Sequence, residues 1–190
     1  TGKPYPAYKD SGVPWLGKVP EHWEVRRLAA SVIACINGIW GSDPDGYYDL
    51  PCVRVADFDR GRRRVRMLNP TVRSIPPEDR AHRLLYHGDL LLEKSGGGDE
   101  QPVGMVVLYD HQVEAVCSNF IARMPVSKGY NPFFLNYLHA ALYAFQLNVR
   151  SIKQTTGIQN LDSKAYLSEL IAFPPLPEQT AIVAYLDAQT

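Results

Sequence analysis

The chain has 190 residues, 45% hydrophobic and 11% aromatic, enough apolar material for one domain with a sizeable core and too much for a disordered chain. Its 20 basic and 20 acidic side chains cancel, so overall charge points to neither nucleic acid nor a membrane surface, and any such signal must come from local clustering. Three widely spaced cysteines (Cys35, Cys52, Cys117) argue against a disulfide framework and for a reducing, cytoplasmic setting; no run is apolar enough to span a bilayer, and the amino terminus lacks a signal-peptide pattern.

Residues 1 to 25 set Pro4, Pro6, Pro14 and Pro20 among Tyr5, Tyr8, Trp15 and Trp23, which predicts an extended arm whose aromatics lie against the body. Trp23 to Ile36 reads as a strand and a short helical turn, broken by Gly38, Trp40 and Gly41. Leu50 to Phe58 alternates as a strand would, with Val53 and Val55 on one face and Cys52, Arg54 and Ala56 on the other. The densest charge follows: Arg60, Arg62, Arg63, Arg64 and Arg66 around Gly61. If Arg62 to Met67 is extended, Arg62, Arg64 and Arg66 share one face, and a row of guanidinium forks suits phosphate oxygens and guanine edges. The competing reading is a solvated turn paired with Asp57, Asp59 and nearby acids.

Pro76 to Leu85 predicts a short capped helix. Asp89 to Lys94 predicts a strand running into Ser95 and the glycines Gly96, Gly97 and Gly98, but the Gly-Lys-Ser/Thr spacing of a nucleotide phosphate loop is missing. A flexible turn at a sheet edge fits better, and it can bring backbone amides close to a ligand. Val103 to Tyr109 and Ala115 to Arg123 predict two more strands. Asn131 to Arg150 predicts a long helix, capped by Asn131, started by Pro132 and striped by Phe134, Leu138, Ala141, Leu142, Phe145 and Val149. Asn131-Pro132-Phe133-Phe134 resembles the Asn-Pro-Pro-aromatic motif of adenine methyltransferases, but the second proline is absent and no glycine-rich cofactor loop accompanies it. Glu93-Lys94 has the wrong spacing for a nuclease motif, and His22, His82, His87, His111 and His139 lack zinc-like spacing. We expect no cofactor, no metal and no catalytic residue.

Lys153, Gln154, Thr155, Thr156 and Gln159 surround Gly157 in a polar segment that could read base edges or simply cap two helices. The chain closes on Pro174, Pro175 and Pro177, an extended elbow, followed by a helix with Ile182, Val183 and Leu186 on one face. That face could close the core or await a partner.

Four segments together resemble the specificity subunit of type I restriction-modification systems: YKDSGVPWLGKVPEHWEVRRL (8 to 28), GDLLLEKSGGG (88 to 98), KQTTGIQNL (153 to 161) and FPPLPEQTAIVAYLD (173 to 187). The resemblance implies one target recognition domain, most like the amino-terminal one, over residues 1–172, with the elbow and the start of a spacer helix over 173–190. The fold it implies is α+β, a twisted, largely antiparallel sheet with flanking helices, similar to the recognition domains of DNA methyltransferases. The partners it implies are double-stranded DNA, the modification and restriction subunits, and a second recognition domain or a second copy through the helix; no membrane is involved. Read this way, Ile182, Val183 and Leu186 face outward, toward that helix. Arg60, Arg62, Arg63, Arg64, Arg66, Lys94 and Ser95 would position the duplex, with Lys153, Gln154, Thr155, Thr156 and Gln159 beside them. The alternatives are a catalytic methyltransferase or nuclease domain, and a protein-binding module that uses only its helix.

Overall fold

The structure is a computed structural model that describes residues 4–98, 100–155 and 157–189. The arm folds as β1 (Tyr8–Asp10) against β2 (Lys18–Pro20), then β3 (Glu24–Arg27) and a 3-10 turn at Leu28–Ser31. Next come β4 (Ile36–Asn37), β5 (Asp49–Val53), the hairpin of β6 (Phe58–Asp59) and β7 (Arg64–Val65), β8 (Val72–Ser74) and α1 (Pro77–Arg80). The centre of the chain supplies β9 (Leu90–Glu93), β10 (Ser95–Gly96), β11 (Val106–Leu108), β12 (Val116–Cys117), β13 (Ile121–Met124) and α2 (Pro132–Ala144). The chain continues through β14 (Ile152–Thr155), β15 (Ile158–Leu161), α3 (Ser163–Leu167), β16 (Leu170–Phe173) and α4 (Leu176–Asp187).

The fold is α+β and largely antiparallel. Its main sheet has the order β4-β13-β9-β11-β7-β6, with only the β11–β7 pair parallel. Strand β9, the run Leu-Leu-Leu-Glu, is buried throughout because both faces are covered. Alternation sorts the core. Leu90, Leu92, Val106, Leu108, Ala122 and Met124 pack with α2, α3 and β16. Leu91, Val107 and Ile121 pack with Val53, Phe58, Val65 and Cys117 on the opposite face, where β12-β5-β8 forms a smaller sheet. Across that second face runs a buried ion pair, Arg123 Nε to Asp89 Oδ2 at 2.6 Å, with Arg123 also donating to the His82 carbonyl. Among the described residues no helix is long and apolar enough to cross a membrane.

Several elements differ from expectation. Strand β5 stops at Val53 because the Asp57 carboxylate accepts from the Arg54 backbone and side chain, which turns residues 55–57 into a 3-10 helix. The predicted Ala115 to Arg123 strand splits at Ser118–Phe120 into β12 and β13, in different sheets. Helix α2 is capped by Asn131, whose side chain accepts from Phe133 and Phe134, but it ends at Ala144, where Gln146 takes a left-handed backbone (φ 57°). Phe145 and Val149 are therefore exposed instead of continuing the apolar stripe. His139, on the inward face of α2, has its Nδ1 2.7 Å from the Tyr166 hydroxyl, and burial pushes its pKa down to about 3, so it is a neutral core group.

Helix α4 folds back on its own domain. Val183 is 9% exposed within the main core and Ile182 packs against it, which corrects the outward assignment of these two residues; Leu186 is half-buried. Both ends of the helix are fastened to α2: Gln179 accepts from the Asn131 backbone at 2.8 Å, and the Tyr137 hydroxyl donates to Asp187 at 2.6 Å. The arm grips the first turn. Tyr5 and Trp23 donate to the Glu178 carboxylate, and His22 Nε2 lies 2.8 Å from it; burial opposes its ionisation, yet these partners hold its carboxyl below the usual range. Val183→Ala is accordingly expected to destabilise the whole domain by about 2 kcal/mol in chemical denaturation. A helix standing free of the domain would give no change.

Candidate nucleic-acid interface

At Glu93 the chain leaves the main sheet and enters another. Strand β10 pairs with β15, and β15 with β14, so that Ser95 lies opposite Asn160 and Gly96 opposite Gln159. The Leu161 amide donates to the Lys94 carbonyl at 2.8 Å, and Ser95 Oγ donates to Asn160 Oδ1 at 2.6 Å. Two segments that the sequence separates by about sixty residues thus build one small sheet. The 153–161 stretch is a hairpin, not a helix-capping loop, and Gly157 turns it with φ +83°.

Its polar side chains divide. Gln159 is buried and its Oε1 accepts from the Val103 backbone at 3.0 Å, so it braces the segment after the glycine turn and is not free to read a base. Gln159→Ala should therefore lower stability by about 1–3 kcal/mol in a denaturant titration, because it leaves a buried N–H unpaired. A loss of ligand selectivity without loss of stability would contradict that role. Lys153 is exposed, with Nζ 2.6 Å from Asp162. Gln154 and Thr155 stand in β14 opposite Gln159 and Ile158; their side chains, and Thr156 altogether, lie outside the described residues. Lys94 is half-buried, and its ammonium donates to Asn37 Oδ1.

The arginines form a turn and not a row. Only Arg64 lies in a strand, and Arg63 adopts a left-handed backbone (φ 58°), so Arg62, Arg64 and Arg66 do not align as extended residues would. The turn lies at the Glu93 end of the sheet, since the Glu93 amide donates to the Met105 carbonyl and β11 then runs on beside β7. Arg60 Nη2 contacts both Glu93 carboxylate oxygens, at 3.2 and 3.1 Å; the Glu93 side chain is 1% exposed, and burial raises its pKa against the pull of Arg60. Arg63 stacks 4.6 Å over the Tyr137 ring. Arg64 donates to Asn136 at 2.7 Å and pairs with Asp110 at 3.2 Å. Arg66 is exposed and donates to the Ala56 carbonyl, while Arg62 is exposed at the tip. Beside the turn is a polar recess of about 430 Å³ lined by Arg62, Arg63, Arg64, Tyr137 and Asp187.

Trp40 and Phe120 drew no functional reading from the sequence, yet both flank this region. Phe120 accepts the Lys94 backbone N–H at 2.8 Å, and Gly38 donates to the Ile121 carbonyl, which places Trp40 alongside. A tryptophan set between two glycines is the signal that could have drawn attention to it. Among the described residues no group of three or more His, Cys, Asp or Glu could hold a metal ion. The cysteines are free, and burial pushes the Cys52 thiol up to about 11 and that of Cys117 to about 12, which makes both inert.

No protein-family model matches the chain. It is 27% identical over 175 residues to a putative type I restriction enzyme MjaX specificity subunit from Methanocaldococcus jannaschii, covering 90% of this chain and 40% of that protein. The chain resembles a type I specificity subunit. A solved structure of the HsdS subunit from Thermoanaerobacter tengcongensis shares its fold with a TM-score of 0.56 and 23% identity, over 95% of this chain and 39% of that one. A structure on complex assembly and conformational transition of the type I R-M system gives a TM-score of 0.58 at 24% identity, over 90% and 38%. The type I S subunit from M. genitalium gives 0.53 at 14% identity, over 88% and 38%. The chain thus spans about two fifths of the length of these specificity-subunit relatives.

Proposed function

We propose that the chain is a target recognition domain of a type I restriction-modification specificity subunit, a non-catalytic cytoplasmic component that binds double-stranded DNA and reads one half of a bipartite site. Adenine methylation and restriction are carried out by the modification and restriction subunits it directs. The observation that carries this reading is the joining of the 94–98 turn and the 153–161 hairpin, two segments on which the family resemblance rests, into one small sheet at the same end of the main sheet as the arginine turn. Arg62, Arg66, Lys94 and Lys153 supply the exposed and half-exposed cations that phosphate binding needs. Arg60 and Arg64 hold that surface together through Glu93, Asn136 and Asp110. Residues 173–190 act as the root of the spacer, with Ala181 and Tyr185 on the side that faces away from the core and open to a second helix, from another recognition domain or another copy.

The test is genomic. Methylated adenines mapped in the source cell should fall in a two-part motif, and disrupting this chain should abolish methylation at that motif. Oligonucleotides bearing one of the two half-sites, and not the other, should bind the chain. An unchanged methylation map would rule the reading out.

A further inference from the structure

We propose that the recess between Trp40 and Phe120 is a base-edge subsite that takes the C5-methyl group of a thymine exposed in the major groove; the inference rests on the duplex-binding reading above. The recess, about 460 Å³, is also lined by Val55, Ala56, Ser118 and Asn119. Its two aromatic walls are open to solvent, Trp40 at 39% and Phe120 at 46% exposure.

The fold goes to some length to build it. A β-carbon on Gly38 would stand 2.2 Å from the carbonyl oxygens of Cys117 and Ser118, so only glycine lets residues 38–41 lie flat on the 117–120 turn. Gly41 has φ +67°, and a β-carbon there would stand 2.4 Å from the Ser74 carbonyl oxygen. The indole is held in place by Arg73, whose guanidinium stacks 4.7 Å from the ring centroid while Nε donates to the Trp40 carbonyl and Nη1 to Asp43. The recess thus presents two apolar side chains, with the indole already held before any ligand arrives.

The surroundings decide the occupant. Arg54 lines the recess, Arg73 backs its tryptophan, and Lys94 is hydrogen-bonded to Phe120 through the backbone. Asp57 and Asp43 pair with the two arginines, and a further arginine, Arg66, donates to the carbonyl of Ala56 on the recess wall. An apolar recess with a net cationic rim fits an apolar group carried on a polyanion. The thymine methyl is the apolar group that the major-groove edges of DNA present, and Asn119 adds an amide of the type that pairs with adenine. Phe120, on the recess wall, accepts the Lys94 backbone N–H, so the recess adjoins the 94–98 turn and its hairpin.

The experiment starts from duplexes enriched by the whole chain from a randomised pool. Each thymine of an enriched duplex is then replaced by deoxyuridine, which removes one methyl and leaves pairing intact. One position should lose about fourfold in affinity, the equivalent of one buried methyl. Trp40→Ala and Phe120→Ala should weaken binding of the parent duplex and abolish that fourfold difference. No sensitive position on the unaltered chain, or a loss that persists in both variants, overturns the subsite while leaving duplex binding intact. An apolar peptide as the true occupant would give that same insensitivity. Failure to enrich any duplex removes the duplex-binding reading and the subsite with it. The deoxyuridine scan on the unaltered chain needs no variant to fold.

Discussion

Replacing Arg60 with alanine is expected to lower the unfolding free energy by about 3 kcal/mol. Glu93 is buried at the end of the central strand, and Arg60 is its ion-pair partner. Without the guanidinium the carboxylate is left without its counter-charge, and its pKa, already raised by burial, rises further. The deficit should therefore depend on pH. Glu93 is protonated in both folded and unfolded chains at acid pH, so the variant approaches the parent there. The unfolded carboxyl ionises alike in both chains, so the variant falls behind only as pH rises through the raised pKa of Glu93 in the folded parent, and the gap stops widening once Glu93 ionises in the folded variant too. Denaturant titrations at neutral and mildly acidic pH would measure this. Arg62→Ala, at the exposed tip of the same turn, should stay within about 0.5 kcal/mol of the parent. Equal losses for the two arginines would contradict the division of the turn into a bracing half and a free half.

The converse effect is expected on DNA. Substituting Arg62, Lys94 and Lys153 together by alanine should weaken duplex binding by on the order of a hundredfold, with little change in stability. The slope of log affinity against log salt should flatten by about 0.9 for each phosphate that the protein no longer neutralises. Arg62 and Lys153 are exposed, and Lys94 joins the two sheets through its backbone and not its ammonium, so the side chains can be removed without opening the core. Salt titrations of the parent and the triple variant separate this from a structural effect. An unchanged slope would remove these cations from the interface.

The pattern of the fold was legible wherever local chemistry decides. Leu90 to Glu93 reads as a buried strand because it is one, and Asn131 caps α2 as its side chain and the following proline require. The site was legible only in part. The 153–161 segment carries no clean period-two pattern because its strands are stabilised by β10, which lies far away in sequence. The arginines read as free cations because Glu93 and Asp110, which engage Arg60 and Arg64, are remote in sequence from the turn. The same limit explains α4. A stripe at helical spacing identifies Ile182, Val183 and Leu186 as one apolar face, but not whether this domain or a second chain covers it, and Val183 is buried in this domain's own core, where α4 packs on α2. Trp40 gained its meaning only from the glycines that press its segment onto residues 117–120.

The central claim is sequence-specific recognition of duplex DNA, and equilibrium binding tests it most directly. The whole chain is titrated with a duplex bearing its half-site and with a scrambled duplex of equal length and composition, at matched salt. Recognition predicts at least about a hundredfold tighter binding to the first, since each wrong base pair costs about 1–3 kcal/mol. Equal affinity for the two duplexes at every salt concentration would contradict it.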